Sequence, residues 1–379
     1  MKVKDKAILS ERKARLDVRL DPEWQEEQYR PMLRGGVQRF EMSARINAIP
    51  CGGIGLVHEF VRSIGLAESI DAHLQVLKRH FPYHESDHVL NMIYNVVSGG
   101  TCLEDIDRLR NDESYMNTVG AFRIPDQTTA GDFLRRCQGE HILGLMVATN
   151  EVRRRVWKNL KKKELSLALI DVDGTIAPTL GELKQGMDLS YKGEWGYAPL
   201  IVSLANTREV LFAVNRPGNQ VSHENAPLYM DAAVSLVRSG GFEKVRLRGD
   251  TDFSLTENFD RWDLDEVQFV FGIDAHSSFV ARAQALDRAA FRPLKRRAKW
   301  AVKTSLRARR ENVKERIVRE RGFTNKTTER EEVAEITYQP SKSERSYRMV
   351  VLKKTIRVEQ GQLRLEDEVR YFFYVTNVP

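Results

Sequence analysis

The chain has 379 residues, with 60 Lys and Arg against 53 Asp and Glu. That length is enough for two or three domains with a substantial core, and the three cysteines, Cys51, Cys102 and Cys137, have no short spacing that would suggest a disulfide framework or a thiolate metal site. That cysteine pattern fits a reducing cytoplasm, and a charged start from Met1 to Arg12 with no long uncharged run argues against secretion and membrane insertion.

Residues 1–50 read as a polar arm or first short strands, with Trp24 and Tyr29 as the main large apolar groups. Residues 51–163 read as a helical domain. Leu56, Val57, Phe60, Val61, Ile64 and Leu66 recur mostly at three- and four-residue steps, as do Val89, Leu90, Ile93, Tyr94 and Val97, and Gly99-Gly100 stops the second helix. Gly52-Gly53-Ile54-Gly55 is a loop before a helix, because no strand precedes it and no Lys-Ser or Lys-Thr follows. His80, His84 and His88 have the four-residue spacing of helical metal ligands, but Pro82 interrupts the turn, so they read as surface or hinge positions. After Ile124-Pro125 comes a helix with Thr129 and Asp132 at capping-box spacing, then a long helix from Leu145 to Leu160 that ends in Lys161-Lys162-Lys163. A helical domain in this position is expected to bind DNA or to dock a partner.

From 164 to 274 the apolar period falls to two. Strands are expected over Leu165–Asp173, Ala198–Asn206 and Glu209–Asn215, and the Thr207-Arg208 link forces the second and third to run antiparallel. A helix over Ala226–Ser239, closed by Gly240-Gly241, precedes strands at Lys244–Leu247 and Val267–Ile273, with a further helix between them. Residues 275–370 read as a basic and β-rich insertion, helical over 280–330 and alternating from 333 onward, and 371–379 as the start of the core's final part. From Arg292 to Arg330 fifteen Lys or Arg face four Glu, too few acids to pair them, which marks a polyanion site. Arg296, Arg297, Lys299, Trp300, Lys303, Arg307 and Arg310 are the candidate DNA-binding residues, with Trp300 able to stack on a base or to pack in a subdomain core. Arg246 and Arg248 could face phosphate or line a solvent edge.

The chemistry is expected where strands end. Leu-Ala-Leu-Ile-Asp-Val-Asp-Gly-Thr, 167–175, closes an apolar run with Asp171 and Asp173 on one face. Asp250 follows the fourth strand. One acid could cap a turn, but a cap does not account for two. If the first and fourth strands are parallel neighbours, Asp173 and Asp250 converge, and hard carboxylate oxygens suit Mg²⁺ or Mn²⁺ in phosphodiester cleavage or strand transfer.

These segments, together with Tyr191-Lys192-Gly193-Glu194-Trp195-Gly196-Tyr197-Ala198-Pro199-Leu200 and Leu247-Arg248-Gly249-Asp250-Thr251-Asp252-Phe253, resemble the DDE transposases of bacterial insertion sequences. Gly99 to Arg110 and Ile124 to Phe133 are similar to the helical region of the same group, so the likeness runs from about residue 50 to the end. The resemblance implies an α/β, ribonuclease H-like mixed sheet with an N-terminal helical domain and an insertion, Asp173 and Asp250 as the first two catalytic, metal-binding acids, a Mg²⁺ or Mn²⁺ cofactor, and action as a homodimer on double-stranded transposon ends and target DNA. The family's third acid sits on a helix after a strand that Tyr371–Asn377 resembles. With Pro379 last, the expectation is a C-terminally shortened, inactive chain, since Glu366 and Glu368 belong to a strand pattern.

Two alternatives stand beside it. Leu-Ile-Asp-Val-Asp-Gly-Thr also resembles the first motif of haloacid dehalogenase-like phosphatases, with Asp171 as nucleophile and Asp173 as acid, although the hairpin that follows does not suit that fold. A DNA-binding protein without catalysis is the other.

Overall fold

A computed structural model describes residues 3–20, 33, 51–181, 184–295, 313–360 and 363–379. The chain divides into two compact units, Met1–Leu160 and Lys161–Pro379.

The first unit is helical: α1 (Val3–Leu20), α2 (Ile54–Ile64), α3 (Leu66–His73), α4 (Glu85–Val97), α5 (Ile106–Arg110), α6 (Glu113–Thr118), α7 (Gln127–Arg136) and α8 (Gly139–Trp157). Where an arm or short strands were expected, α1 is a helix, built from Lys, Arg, Glu, Ala and Leu with neither Gly nor Pro to break it. Helix α7 starts earlier than the Thr129 spacing suggests, because Asp126 is the residue that caps it, accepting from the Thr129 backbone N–H at 2.8 Å. The core joins Ile70, Leu90, Tyr94, Tyr115, Phe133 and Ala148.

Helix α4 carries buried polar groups as well, and each has a use. Glu85 accepts the backbone N–H groups of Val76 and Leu77 at 3.1 and 3.0 Å, and Asp87 accepts those of Leu33 and His84 at 2.9 Å each. His88 is 3% exposed and stacks on Phe133 with ring centroids 4.3 Å apart. It is a core residue rather than the surface or hinge position its spacing suggested, because this face of α4 turns inward along its first two turns.

The second unit is built on one large sheet. Its elements are β1 (Ala168–Gly174), β2 (Ala177–Pro178), β3 (Asp188–Leu189), β4 (Trp195–Tyr197), β5 (Leu200–Leu204), β6 (Glu209–Val214), α9 (Ala226–Ser239), β7 (Val245–Gly249), α10 (Phe259–Leu264), β8 (Val267–Ile273), α11 (Ser277–Gln284), β9 (Arg292–Pro293), α12 (Val313–Glu320), β10 (Thr324–Tyr338), β11 (Tyr347–Gln360), β12 (Leu363–Arg364) and β13 (Glu368–Thr376). The sheet runs β6-β5-β1-β7-β8-β13-β11-β10-β9, with β12 paired to β11. Strands β1, β7 and β8 are parallel, while β5 runs antiparallel to β1 and β6 antiparallel to β5. A meander followed by two parallel strands on its other side is the ribonuclease H-like order.

One face of this core is closed. Ala168, Ile170 and Val172 of β1, Val245 and Leu247 of β7, and Val267, Phe269 and Phe271 of β8 are buried, with α9 against β1 and β7 and α10 against β8. The alternate residues Asp171, Arg246, Arg248 and Gln268 are half-buried, as a period of two requires.

Residues expected as an insertion extend the same sheet. Strand β13 pairs with β8 from Phe373↔Ile273 to Thr376↔Val270, and the long β10–β11 hairpin lies beyond it. Helix was expected through residue 330, but β10 begins at Thr324, where pairing with Gln360 across the hairpin outweighs the basic composition. A small sheet, β2-β4-β3, was not anticipated either; its strands have two or three residues each, too few to show a period.

Candidate active site

Strand β1 delivers its two acids to different fates. The parallel register pairs Asp171 with Arg248, and the Arg248 guanidinium donates from Nε to Oδ1 at 2.6 Å and from Nη2 to Oδ2 at 2.7 Å. Arg246 donates to Gln268 Oε1 from Nε and Nη2 at 3.1 and 2.7 Å. Both arginines are therefore held through Nε and Nη2 by partners within the sheet. Asp173, two residues past Asp171, is exposed and has no hydrogen-bond or ion-pair partner among the described residues.

Two residues past Arg248 comes Asp250, so the register carried forward sets it level with Asp173 on the neighbouring strand. Asp250 ends β7 as the cap of a short 3₁₀ turn, its Oδ1 accepting from the Asp252 N–H at 3.1 Å. A capping acid and a converging acid are thus the same residue. Lost hydration raises its carboxyl above the usual range; the Asp252 N–H opposes this, and the charges of Asp252, Asp173 and Asp274 add to the rise. Asp274 directly follows β8, so three neighbouring parallel strands each end in an acid at one sheet edge.

Two glycines make room for this edge. A Cβ on Gly249 would lie 2.9 Å from Phe253 Cβ and 3.0 Å from Val172 Cγ1, and one on Gly272 would lie 3.1 Å from the Thr251 nitrogen and 3.3 Å from the Asp250 carbonyl carbon. The Asp250–Thr251 peptide therefore passes close over Gly272 of β8, where an added Cβ would have to push it by a few tenths of an ångström.

Arg216 braces the other side of β1. It is 5% exposed; its Nε donates to the Ala198 carbonyl at 2.9 Å, and Nη1 to those of Ser222, Glu224 and Val221 at 2.9, 3.1 and 3.4 Å. Its Nη2, which has no hydrogen-bond partner, lies 4.0 Å from where a Gly174 Cβ would be, close to the end of β1. Nothing in the sequence marked Arg216, Gly272 or Asp274; a lone Arg before Pro-Gly and a Gly-Ile-Asp after a strand have no distinctive spacing.

Chemically, Asp173 and Asp250 offer hard oxygen donors at facing strand ends in a field made negative by Asp274 and Asp252. That donor set fits a divalent ion of the Mg²⁺ type, which keeps several waters and takes few protein ligands. Among the described residues no three His, Cys, Asp or Glu side chains come together as a metal-holding group. Glu368 is engaged elsewhere, paired with Arg370 and Lys326 on the hairpin side of β13. Arg296, Arg297, Lys299, Trp300, Lys303, Arg307 and Arg310 lie outside the described residues.

The model of the family described as transposase DDE domain, group 1, matches residues 49–379. The chain belongs to this transposase family. With Asp171 held by Arg248 and an antiparallel hairpin following β1, the DDE domain leaves no place for the haloacid dehalogenase-like reading. No curated protein matches the chain. Among solved structures it is similar to a piggyBac transposase in a synaptic complex with hairpin DNA, at 8% identity and a TM-score of 0.34, over 83% of this chain and 57% of that one. The chain thus spans little more than half the length of that transposase. Among the described residues no helix is long and apolar enough to cross a membrane.

Proposed function

We propose that this DDE domain catalyses metal-dependent cleavage and transfer of DNA strands at insertion-sequence ends, with Asp173 and Asp250 as the catalytic acids for Mg²⁺ or Mn²⁺. The competing reading is the inactive chain without a third acid expected from the sequence, and a wild-type chain that does not nick supports it. The observation that supports the reading is that β1 and β7 are parallel neighbours and that the charge of Asp173 bears on Asp250, just past the end of β7. The ion would supply Lewis acidity at a phosphodiester and a more acidic bound water. Asp173 and Asp250 would hold the ion through their carboxylate oxygens. Gly249 and Gly272 keep the Asp250 turn flush with the sheet, and Arg216 steadies the end of β1.

Double-stranded DNA is the proposed partner, and the basic stretch with Arg296, Arg297, Lys299, Trp300, Lys303, Arg307 and Arg310 the proposed phosphate contact, working as a homodimer on paired ends in a reducing cytoplasm. Nicking of supercoiled plasmid tests the chemistry. Nicking is expected with Mn²⁺ or Mg²⁺, lost on chelation, and reduced at least a hundredfold in Asp173→Asn and in Asp250→Asn, with DNA affinity within about twofold of wild type. Nicking that survives both substitutions overturns the assignment of the two acids. DNA affinity that does not fall with rising salt overturns the phosphate contacts.

A further inference from the structure

The helical unit contains a cavity that the strand-end acids do not explain. It has a volume of about 770 Å³, inside the usual range for ligand sites of roughly 300–1,000 Å³. Phe81, Tyr83, His88 and Phe133 give it aromatic walls, and Lys78, Arg79 and Arg136 line it as well. Those three cations have no carboxylate partner among the described residues, while the one acid at the cavity, Asp132, is paired with Arg135. A fourth cation stands close by: the Arg123 guanidinium lies 5.4 Å from the Phe81 ring centre and 5.6 Å from that of Tyr83.

The walls are held in place. Buried Glu85 accepts the backbone N–H groups of Val76 and Leu77, the Tyr83 hydroxyl donates to the Ile124 carbonyl at 3.1 Å, and His88 stacks on Phe133. Phe81, by contrast, is half exposed, an apolar ring kept in water at the cavity. One polar atom is unspent. His88 is 97% buried by its 3% exposure, and its Nδ1 has no hydrogen-bond partner. Burial draws its pKa down to about 4, so near neutral pH the ring is uncharged and can donate or accept.

Flat aromatic walls, uncompensated cations and an unsatisfied imidazole nitrogen are the complement of one nucleotide: a base to stack, a phosphate to neutralise and a base edge to bond. We infer that this cavity receives a single nucleotide splayed out of a DNA strand, the base against Phe81 and Tyr83 and its flanking phosphates at Lys78, Arg79 and Arg136. The inference rests on DNA being the partner proposed above, yet it concerns a different unit and none of the strand-end acids. Such a pocket would hold a distorted or unpaired position of the DNA while chemistry proceeds elsewhere.

Photocrosslinking tests it with the full chain and a DNA hairpin that carries 5-iododeoxyuridine in its unpaired loop, the adducts being mapped by mass spectrometry. Adducts are expected on Phe81, Tyr83, His88 or Phe133, retained in Asp173→Asn and lost in the double variant Phe81→Ala, Arg136→Glu, whose two positions are exposed and whose fold is checked by its circular dichroism and melting temperature. The same double variant should bind the looped hairpin about tenfold more weakly, with blunt duplex affected less. Adducts confined to other residues, with DNA bound, overturn the pocket and leave the proposed strand cleavage standing. Labelling of these residues by free 5-iododeoxyuridine monophosphate but not by the hairpin overturns the DNA assignment in favour of a free-nucleotide site. A chain that binds no DNA at all sinks the partner, and this site with it.

Discussion

Arg248 grips both carboxylate oxygens of Asp171, at 2.6 and 2.7 Å, and the pair joins β7 to β1 in parallel register two residues before Asp173 and Asp250. The first acid of Asp-Val-Asp is thus a structural clamp, and the second is the one proposed for chemistry. Each side chain of the clamp is about 40% exposed, so solvent screens it and its worth is about 1 kcal/mol despite the two-pronged geometry.

The two acids should therefore separate cleanly on substitution. Asp171→Asn is expected to lower the urea stability by about 1 kcal/mol, less at high salt, while keeping most nicking activity. Asp173→Asn should do the reverse, abolishing nicking without destabilising the fold, because it relieves repulsion at the strand end. Loss of activity in Asp171→Asn with full activity in Asp173→Asn would reverse the roles.

Gly249 and Gly272 are expected to tolerate no side chain. In Gly249→Ala the new methyl must push Val172 of β1 or Phe253, both packed in the closed face of the sheet, and in Gly272→Ala it meets backbone at Asp250 and Thr251. Overpacking of this kind costs about 1–3 kcal/mol. Chemical denaturation measures that cost, and Gly272→Ala should also weaken Mn²⁺-dependent nicking more than its stability loss explains, since it moves Asp250. Equal, near-zero effects in both variants would mean that the strand ends are looser than their packing indicates.

What the sequence made legible was local. The apolar run into Asp173, the two-residue Thr207-Arg208 link, the limits of α9 and the strand Val267–Ile273 each carry their own period and punctuation, and the ribonuclease H-like sheet follows from their order. The likeness to DDE transposases, read from Asp-Gly-Thr and Gly-Asp-Thr-Asp-Phe, agrees with the family match. What could not be read depends on distant partners. No local pattern says that β13 will pair with β8, that Arg248 will choose Asp171 over phosphate, or that His88 faces inward beside Phe133. Asp126, not Thr129, caps α7 because either acid or hydroxyl suits the position and only backbone geometry selects one.

Arg216 offers a further prediction. Its guanidinium donates to four backbone carbonyls in a nearly dry site, with the Glu224 charge supporting its positive form. Arg216→Met would take the guanidinium away from the carbonyls of Ala198, Ser222 and Glu224, while Val221 keeps the Glu224 N–H, and is expected to cost about 3 kcal/mol. Arg216→Lys keeps the charge but cannot span Ala198 on one side and Ser222 and Glu224 on the other, so it should recover little. Near-wild-type stability of the lysine variant would show that charge alone suffices.

The helical unit should lose stability in mild acid. His58 and His88 are 1% and 3% exposed, and burial lowers the pKa of each from 6.5 to about 4. A folded-state pKa below the unfolded one means that the unfolded chain takes up protons first. Their contribution is complete above about pH 6.5, shrinks as pH falls and is gone near pH 4. The full shift corresponds to roughly 3 kcal/mol for each ring. Hydrogen exchange of the α4 amides, Glu85–Val97, reads this locally and should quicken between pH 6.5 and 5 beyond the intrinsic pH effect. His88→Phe keeps a ring stacked on Phe133 without a titrating group, so its pH dependence should be about half that of wild type. Opening free energies that stay flat across this range in the wild-type chain would mean that the two imidazoles are hydrated in the folded state.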